Sequence, residues 1–231
     1  MPRQPFFRDR LEAGQALAKA ALSLVRRAPE ISDPVVLALP RGGVPLAVEV
    51  AWALDAPLDL IMVRKIGVPG HPELAAAAVV DGAEPQLVIN ERVAVAVGLG
   101  REDLEPLMAL ELAEIDRRRG VYLKGRTQEP IKGRDAIVVD DGIATGTTVR
   151  AALKALALRG ARSVSLLVPI APPEVMAVLR RETDHAVCLH EPEPFFAVGA
   201  HYAEFDQVGD DEVVACLAGY RRPVMRADNA S

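Results

Sequence analysis

Cysteine is scarce in this chain of 231 residues: Cys188 and Cys216 are the only two, too few for a disulfide framework and without paired metal-ligand spacing. A reducing cytosol is the expected setting. Long apolar runs are missing as well. No stretch reaches the 18 or more uninterrupted apolar residues of a membrane span, and Arg3, Arg8, Asp9, Glu12 and Lys19 break up the N-terminal region. Positive charge is not in excess: 27 Lys and Arg against 32 Asp and Glu leave a net charge of -5. That balance argues against binding through a globally basic surface, so nucleic acid is not an expected partner. No Gly-x-Ser-x-Gly elbow and no dinucleotide glycine fingerprint opens a helix, which removes the footing for hydrolase and dehydrogenase readings. No internal repeat, low-complexity tract or linker divides the chain. What is present is a composition 50% hydrophobic, enough for a sizeable core and incompatible with general disorder. The expectation is one soluble, cytoplasmic domain over 1–231, with its core at about 35–190 and a C-terminal segment at about 191–231.

Periodicity then places the elements. Leu11, Leu17, Ala18, Ala21, Leu24 and Val25 recur at helical spacing and predict an amphipathic helix over about 8–27. Val35–Leu39 reads as a strand, 44–54 as a helix after Gly42-Gly43, and Leu58–Val63 as a second strand. Residues 64–72 hold glycines and prolines close together, which predicts a mobile loop without regular structure. Leu74–Val80 and Gln86–Ile89 look like a hairpin about Asp81-Gly82. A long helix is expected at 101–123, with Glu102, Asp103 and Glu105 at its start and Arg117, Arg118 and Arg119 near its end, complementing the helix dipole. The arginines read as a solvated helix end in preference to a nucleic-acid contact. Strands at 135–139, 163–168 and 186–189 alternate with helices at 147–159 and 172–181. Such alternation of apolar strands with helices implies an α/β fold, a doubly wound parallel sheet with a small helical cap or hood, whose ligands lie at the carboxyl ends of the strands.

The most informative stretch is Ile137-Val138-Val139-Asp140-Asp141-Gly142-Ile143-Ala144-Thr145-Gly146-Thr147-Thr148. A buried strand ends in two carboxylates, and a short Gly and Thr loop runs into a helix N-terminus. Successive backbone N–H groups, the helix dipole and the Thr hydroxyls make a phosphate cradle. The loop has no lysine, so it is not a Walker A motif. Two acids beside a phosphate would repel it unless they grip hydroxyls or a cation, which suggests a sugar phosphate with Mg²⁺ nearby.

This stretch resembles the phosphoribosyl diphosphate (PRPP) binding motif of the type I phosphoribosyltransferases. The resemblance implies that Asp140 and Asp141 hold the ribose hydroxyls and that Ala144, Thr145, Gly146, Thr147 and Thr148 clasp the 5-phosphate. Leu39-Pro40-Arg41-Gly42-Gly43 is similar to the family's pyrophosphate loop, which exposes backbone amides to the diphosphate and often contains a non-proline cis peptide; this implies diphosphate contacts for Arg41, Gly42 and Gly43. Val63-Arg64-Lys65 and the glycine-rich residues after it resemble the segment that gives a basic residue to the diphosphate and a lid that closes over the site. The C-terminal run Phe195-Phe196-Ala197-Val198-Gly199, with Tyr202, Phe205 and an Asp-Asp-Glu helix start, resembles a bacterial phosphoribosyltransferase-like subgroup.

The implied activity is a phosphoribosyltransferase reaction: a nitrogen nucleophile displaces diphosphate from PRPP, with Mg²⁺ held mainly through PRPP and no metal site of the protein's own. Arg41, Arg64 or Lys65 would supply fixed positive charge. The alternative is a regulator of the same fold that binds PRPP or a nucleotide without catalysis. The partners implied are PRPP and an unidentified small acceptor; a homodimer is left open. Ala144 departs from the 6-oxopurine branch, which usually carries Asp there. His185, Cys188 and His190 lie close in sequence, but strand alternation puts His185 on the other face, which disfavours a shared metal. His71 reads as a turn residue. Phe195, Phe196, Tyr202 and Phe205 read equally as base-stacking or anchoring aromatics.

Overall fold

The computed structural model describes residues 5–82 and 85–220; Arg3 and residues 221–231 of the C-terminal segment lie outside that range. α1 (Arg10–Arg27) is capped by Asp9, whose carboxylate accepts the Glu12 N–H at 2.8 Å, and leads into β1 (Pro34–Ala38), α2 (Gly43–Leu54) and β2 (Leu58–Leu60). β3 (Val63–Val68), β4 (His71–Val80), β5 (Gln86–Ile89), α3 (Glu91–Val97) and α4 (Arg101–Leu123) follow. The chain continues through β6 (Asp135–Val139), α5 (Thr147–Leu158), β7 (Ser163–Ile170), α6 (Pro173–Leu179) and β8 (His185–His190). A 3-10 turn at Val198–His201 then precedes α7 (Asp210–Gly219).

Five strands pair in the order β2-β1-β6-β7-β8, all parallel. Because side chains alternate along a strand, Val36, Ala38, Ile137, Val139 and Leu167 enter one apolar layer with α1, α2 and α7. Val35, Leu37, Ala136, Val138, Leu166 and Val168 enter the opposite layer with α5 and α6. Both faces are covered, which is why these strands read as continuous apolar runs, and the α/β, doubly wound parallel sheet is the observed architecture. No helix of the described residues is long and apolar enough to cross a membrane.

The cap differs from expectation. It is not helical alone but is a three-stranded antiparallel sheet, β3-β4-β5, with α3 and α4. Residues 64–72, expected as an unstructured loop, belong mostly to β3 and β4. Val68 pairs with His71, so Pro69 and Gly70 form the two-residue turn between them, Gly70 taking φ of 83°. Pro followed by Gly with positive φ is the combination that a type II turn takes. Register shifts on either side of Gly67 absorb the irregularity. Local propensity identified the turn formers correctly, but the pairing partner, β4, lies outside any local window. The expected strand Leu58–Val63 is likewise divided between sheets: the Ile61 N–H bonds the Ala38 carbonyl of the main sheet, while the Met62 carbonyl accepts the Asp81 N–H of the hood. α3, capped by Asn90, was not expected.

The arginines of α4 also depart from the solvated reading. Arg117 and Arg118 do pair at the surface, with Glu114. Arg119 turns inward, meeting Asp59 at 2.7 Å and Asp81 at 2.5 Å, two carboxylates only 3% exposed. Asp59 also accepts the Glu129 N–H and Asp81 the Met62 N–H. One guanidinium therefore ties the hood helix to the junction of both sheets. Removing one partner of a buried ion pair leaves uncompensated charge. Arg119→Met is expected to cost about 3–5 kcal/mol in urea unfolding at pH 7, against less than about 1 kcal/mol for Arg117→Met on the exposed side of the same helix.

Candidate functional site

β1 and β6 are neighbours in register, Ala38 opposite Val139, so the loops that leave their carboxyl ends meet. One contains Pro40, Arg41, Gly42 and Gly43; the other begins with Asp140 and Asp141. The contact is close. A Cβ on Gly42 would lie 2.0 Å from Oδ2 of Asp141, and one on Gly43 would lie 2.6 Å from the Val139 carbonyl oxygen. Only glycine lets the first loop rest on the acid pair. The Pro40–Arg41 peptide is cis, and the Gly43 N–H bonds the Leu39 carbonyl at 3.0 Å. α2 begins at Gly43 and α5 at Thr147, so two helix N-termini, each with partial positive charge, are carried by the loops that flank the carboxylates; at α2 the Gly43 and Val44 N–H groups already bond the Leu39 and Arg41 carbonyls and Pro45 has none.

The acid pair is enclosed. Asp140 Oδ1 accepts the Asp141 N–H at 2.9 Å. Asp141 Oδ2 accepts from Nε of Arg10 at 2.8 Å, with both side chains 14% exposed. The Tyr202 hydroxyl donates to the Asp141 carbonyl at 2.7 Å. Burial and the neighbouring Asp141 charge hold the Asp140 carboxyl well above the usual carboxylate range. Burial also raises Asp141, with Arg10 pulling against it. The same burial raises the Tyr202 phenol, which stays a hydrogen-bond donor.

Beyond the acids, Ile143 is buried and its N–H is anchored on the Ile170 carbonyl at 2.9 Å. Ala144 and Thr145 stand exposed, Gly146 takes φ of 76°, and Thr147 and Thr148 open α5. Thr145 and Thr147 hydroxyls approach to 3.5 Å. The structure thus brings Asp140, Asp141, Gly42 and Gly43 into direct contact and sets residues 144–148 on the same loop.

The expected cations are held elsewhere. Arg41 pairs with Asp210 at 3.4 Å, and Asp210 also accepts the Tyr122 hydroxyl at 2.7 Å. Arg64 Nε meets Glu111 of α4 at 2.6 Å, and Lys65 is exposed on β3. Among the described residues neither Arg64 nor Lys65 forms an ion pair with the acids. Of the aromatics, Tyr202 stacks on Phe205 with centroids 4.8 Å apart beside the acid pair, whereas Phe196 is 84% exposed. His185 turns to Glu30 at 3.4 Å, the Cys188 thiol donates to the His190 carbonyl at 3.1 Å, and His190 stacks on Phe6. Among the described residues no group of three or more His, Cys, Asp or Glu could hold a metal ion. His71 is exposed in β4, next to the turn. Sequence reasoning missed Arg10 altogether: an arginine at the first position of a surface helix carries no local sign that it reaches a loop 131 residues away.

The phosphoribosyl transferase domain model matches residues 8–204. Proteins from two strains of Mycobacterium tuberculosis, each named "Putative phosphoribosyl transferase", are 44% identical over 211 residues, covering 91% of this chain and 46% of each of theirs. The chain spans about half the length of these curated relatives. The crystal structure of TT1426 from Thermus thermophilus is similar over 93% of this chain and 98% of its own, with a TM-score of 0.79 and 40% identity.

A carboxyl whose native pKa lies above its unfolded value opposes folding increasingly as pH rises past that unfolded value, here 3.8. Asp140→Asn is therefore expected to raise Tm at pH 7 and to leave it unchanged near pH 3.5, as read by calorimetry. An equal gain at both pH values would assign the effect to something other than ionisation.

Proposed function

From the premise that the chain belongs to the phosphoribosyl transferase domain family, we propose that it binds PRPP and transfers ribose 5-phosphate to a nitrogen nucleophile, releasing diphosphate. The carrying observation is the enclosed Asp140-Asp141 pair at the end of β6, lying between the loops that open α2 and α5. Acids whose ionisation is opposed by burial gain from ligands that donate hydrogen bonds to them, and a ribose diol supplies two such donors. Residues 144–148 receive the 5-phosphate on the N-terminal amides of α5 and the Thr hydroxyls. Gly42, pressed against Asp141, and Gly43, pressed against the Val139 carbonyl and Asp140, support a diphosphate site at the start of α2.

In the reaction the nitrogen lone pair forms a bond to C1 of the ribose, the bond from C1 to the diphosphate oxygen breaks with its electron pair going to diphosphate, and the nitrogen's proton passes to the departing diphosphate or to water. Negative charge grows on the leaving group, so fixed positive charge nearby lowers the barrier. Arg41 and Arg64 would leave Asp210 and Glu111 for the diphosphate, and Lys65 would join them. The turn at Pro69-Gly70, between paired strands, is the part of the lid segment free to approach the ligand.

The residues fit Mg²⁺ as a companion of the substrate. Asp140 and Asp141 are hard oxygen donors but too few to cage the ion, so its ligands would come mainly from the diphosphate and ribose hydroxyls, with the acid pair facing those hydroxyls. When bound, the ion would neutralise charge on the leaving diphosphate. At the position before Thr145-Gly146 stands Ala144, exposed and unable to take a proton. Losing a positioned general base costs a factor of about 10² to 10⁴, so hypoxanthine and guanine are expected to be poor acceptors, with adenine and orotate the first alternatives.

Calorimetric titration of PRPP with Mg²⁺ tests the reading. Wild type is expected to bind at micromolar or better affinity, and Asp140→Asn with Asp141→Asn to lose that binding while remaining folded. Equal binding by the double variant would overturn the role given to the acids. Diphosphate release with a panel of bases then follows: efficient turnover of hypoxanthine or guanine refutes the Ala144 argument, and PRPP binding with no turnover on any base transfers the assignment to a PRPP-sensing regulator.

A further inference from the structure

Arg10 belongs to none of the motifs that drew attention to the site, yet it makes the only side-chain ion pair with the acids among the described residues. Its guanidinium is fixed at three points. Nε donates to Asp141 Oδ2 at 2.8 Å, Nη1 donates to the Asp206 carbonyl at 2.6 Å, and its centre lies 3.9 Å over the Phe205 ring. Phe205 stacks on Tyr202, and the Tyr202 hydroxyl returns to the Asp141 carbonyl. The contacts close a ring, Arg10 to Phe205 to Tyr202 to Asp141, that holds both the carboxylate and the backbone of Asp141. With both charged side chains 14% exposed, solvent screens this pair little.

The consequence is geometric. Asp140 Oδ1 is engaged by the Asp141 N–H and Asp141 Oδ2 by Arg10. One oxygen of each carboxyl is thus tied by a fixed donor of the protein, and the two side chains also hydrogen-bond each other, a bond that an incoming diol can replace. Two acceptors side by side match the two hydroxyls of a vicinal diol. We infer that Arg10 is a positioning residue for ribose recognition: by occupying one oxygen of Asp141 it aims the other at a ribose hydroxyl. This rests on the PRPP-binding reading above and adds the residue that sets discrimination between ribose and sugars without the diol.

The test compares ribose 5-phosphate with 2,3-dideoxyribose 5-phosphate, each titrated calorimetrically into wild type, Arg10→Met, Arg10→Gln and Arg10→Lys. Wild type is expected to prefer ribose 5-phosphate at least tenfold. Arg10→Met and Arg10→Gln are expected to lose at least tenfold in affinity for ribose 5-phosphate and less than twofold for the dideoxy sugar, which abolishes the preference, while Arg10→Lys keeps part of it. Either of the first two variants suffices if the other does not fold, because binding of the dideoxy sugar itself reports an intact phosphate loop. A loss equal for both ligands, or no loss for either, overturns the inference. Failure of wild type to bind ribose 5-phosphate at all would refute the PRPP reading instead, a result distinguishable from the others.

Discussion

Two carboxylates placed side by side at the end of a buried strand repel one another and resist ionisation, and most of the local architecture answers that constraint. Arg10 arrives from α1 to offset one of them. The start of α2 reaches the pair because Gly42 and Gly43 carry no side chain where one would collide with Asp141 and the Val139 carbonyl. The C-terminal segment returns across the site so that Tyr202 can hold the Asp141 backbone. None of these contacts neutralises Asp140, whose carboxyl stays well above the ordinary range. A site of this kind stores an unfavourable interaction, which the proposed hydroxyl-bearing ligand would relieve.

The hood obeys a different rule. Its sheet β3-β4-β5 is antiparallel and separate from the parallel core, and one buried guanidinium, Arg119, bridges Asp59 in β2 of the main sheet and Asp81 just after β4 of the hood. At the other edge of the site Asp210 collects both Arg41 and Tyr122, linking the loop at residues 40–43, the hood helix and α7. Arg41 and Arg64, two of the three cations expected at the ligand, are thus engaged by carboxylates. Exchanging an exposed carboxylate for an incoming polyanion costs little, because partly exposed ion pairs are worth about 0–1 kcal/mol.

How much of this was legible in the sequence follows from the range of each interaction. The parallel core was readable because strands buried on both faces must be apolar throughout and the helices between them keep their own period; α4 was expected at 101–123 and stands there. The acid pair and its loop were readable because every residue of that unit is contiguous, from Ile137 to Thr148. Pairing is not contiguous information. Residues 64–72 looked unstructured because the strand that orders them lies further along the chain, and Arg119 looked like a solvated helix end because Asp59 and Asp81 come from other segments. Arg10 was invisible for the same reason.

The central claim is that burial and the neighbouring Asp141 charge oppose ionisation of Asp140 and that a hydroxyl-bearing ligand would ease it. Carbon-13 NMR titration of the Asp140 and Asp141 carboxyls, without ligand and then with ribose 5-phosphate and Mg²⁺, addresses it directly. The account predicts that in the free protein Asp140 titrates well above 3.8 and that the ligand lowers that value. Ordinary titration of both acids in the free protein, unchanged by the ligand, would contradict it.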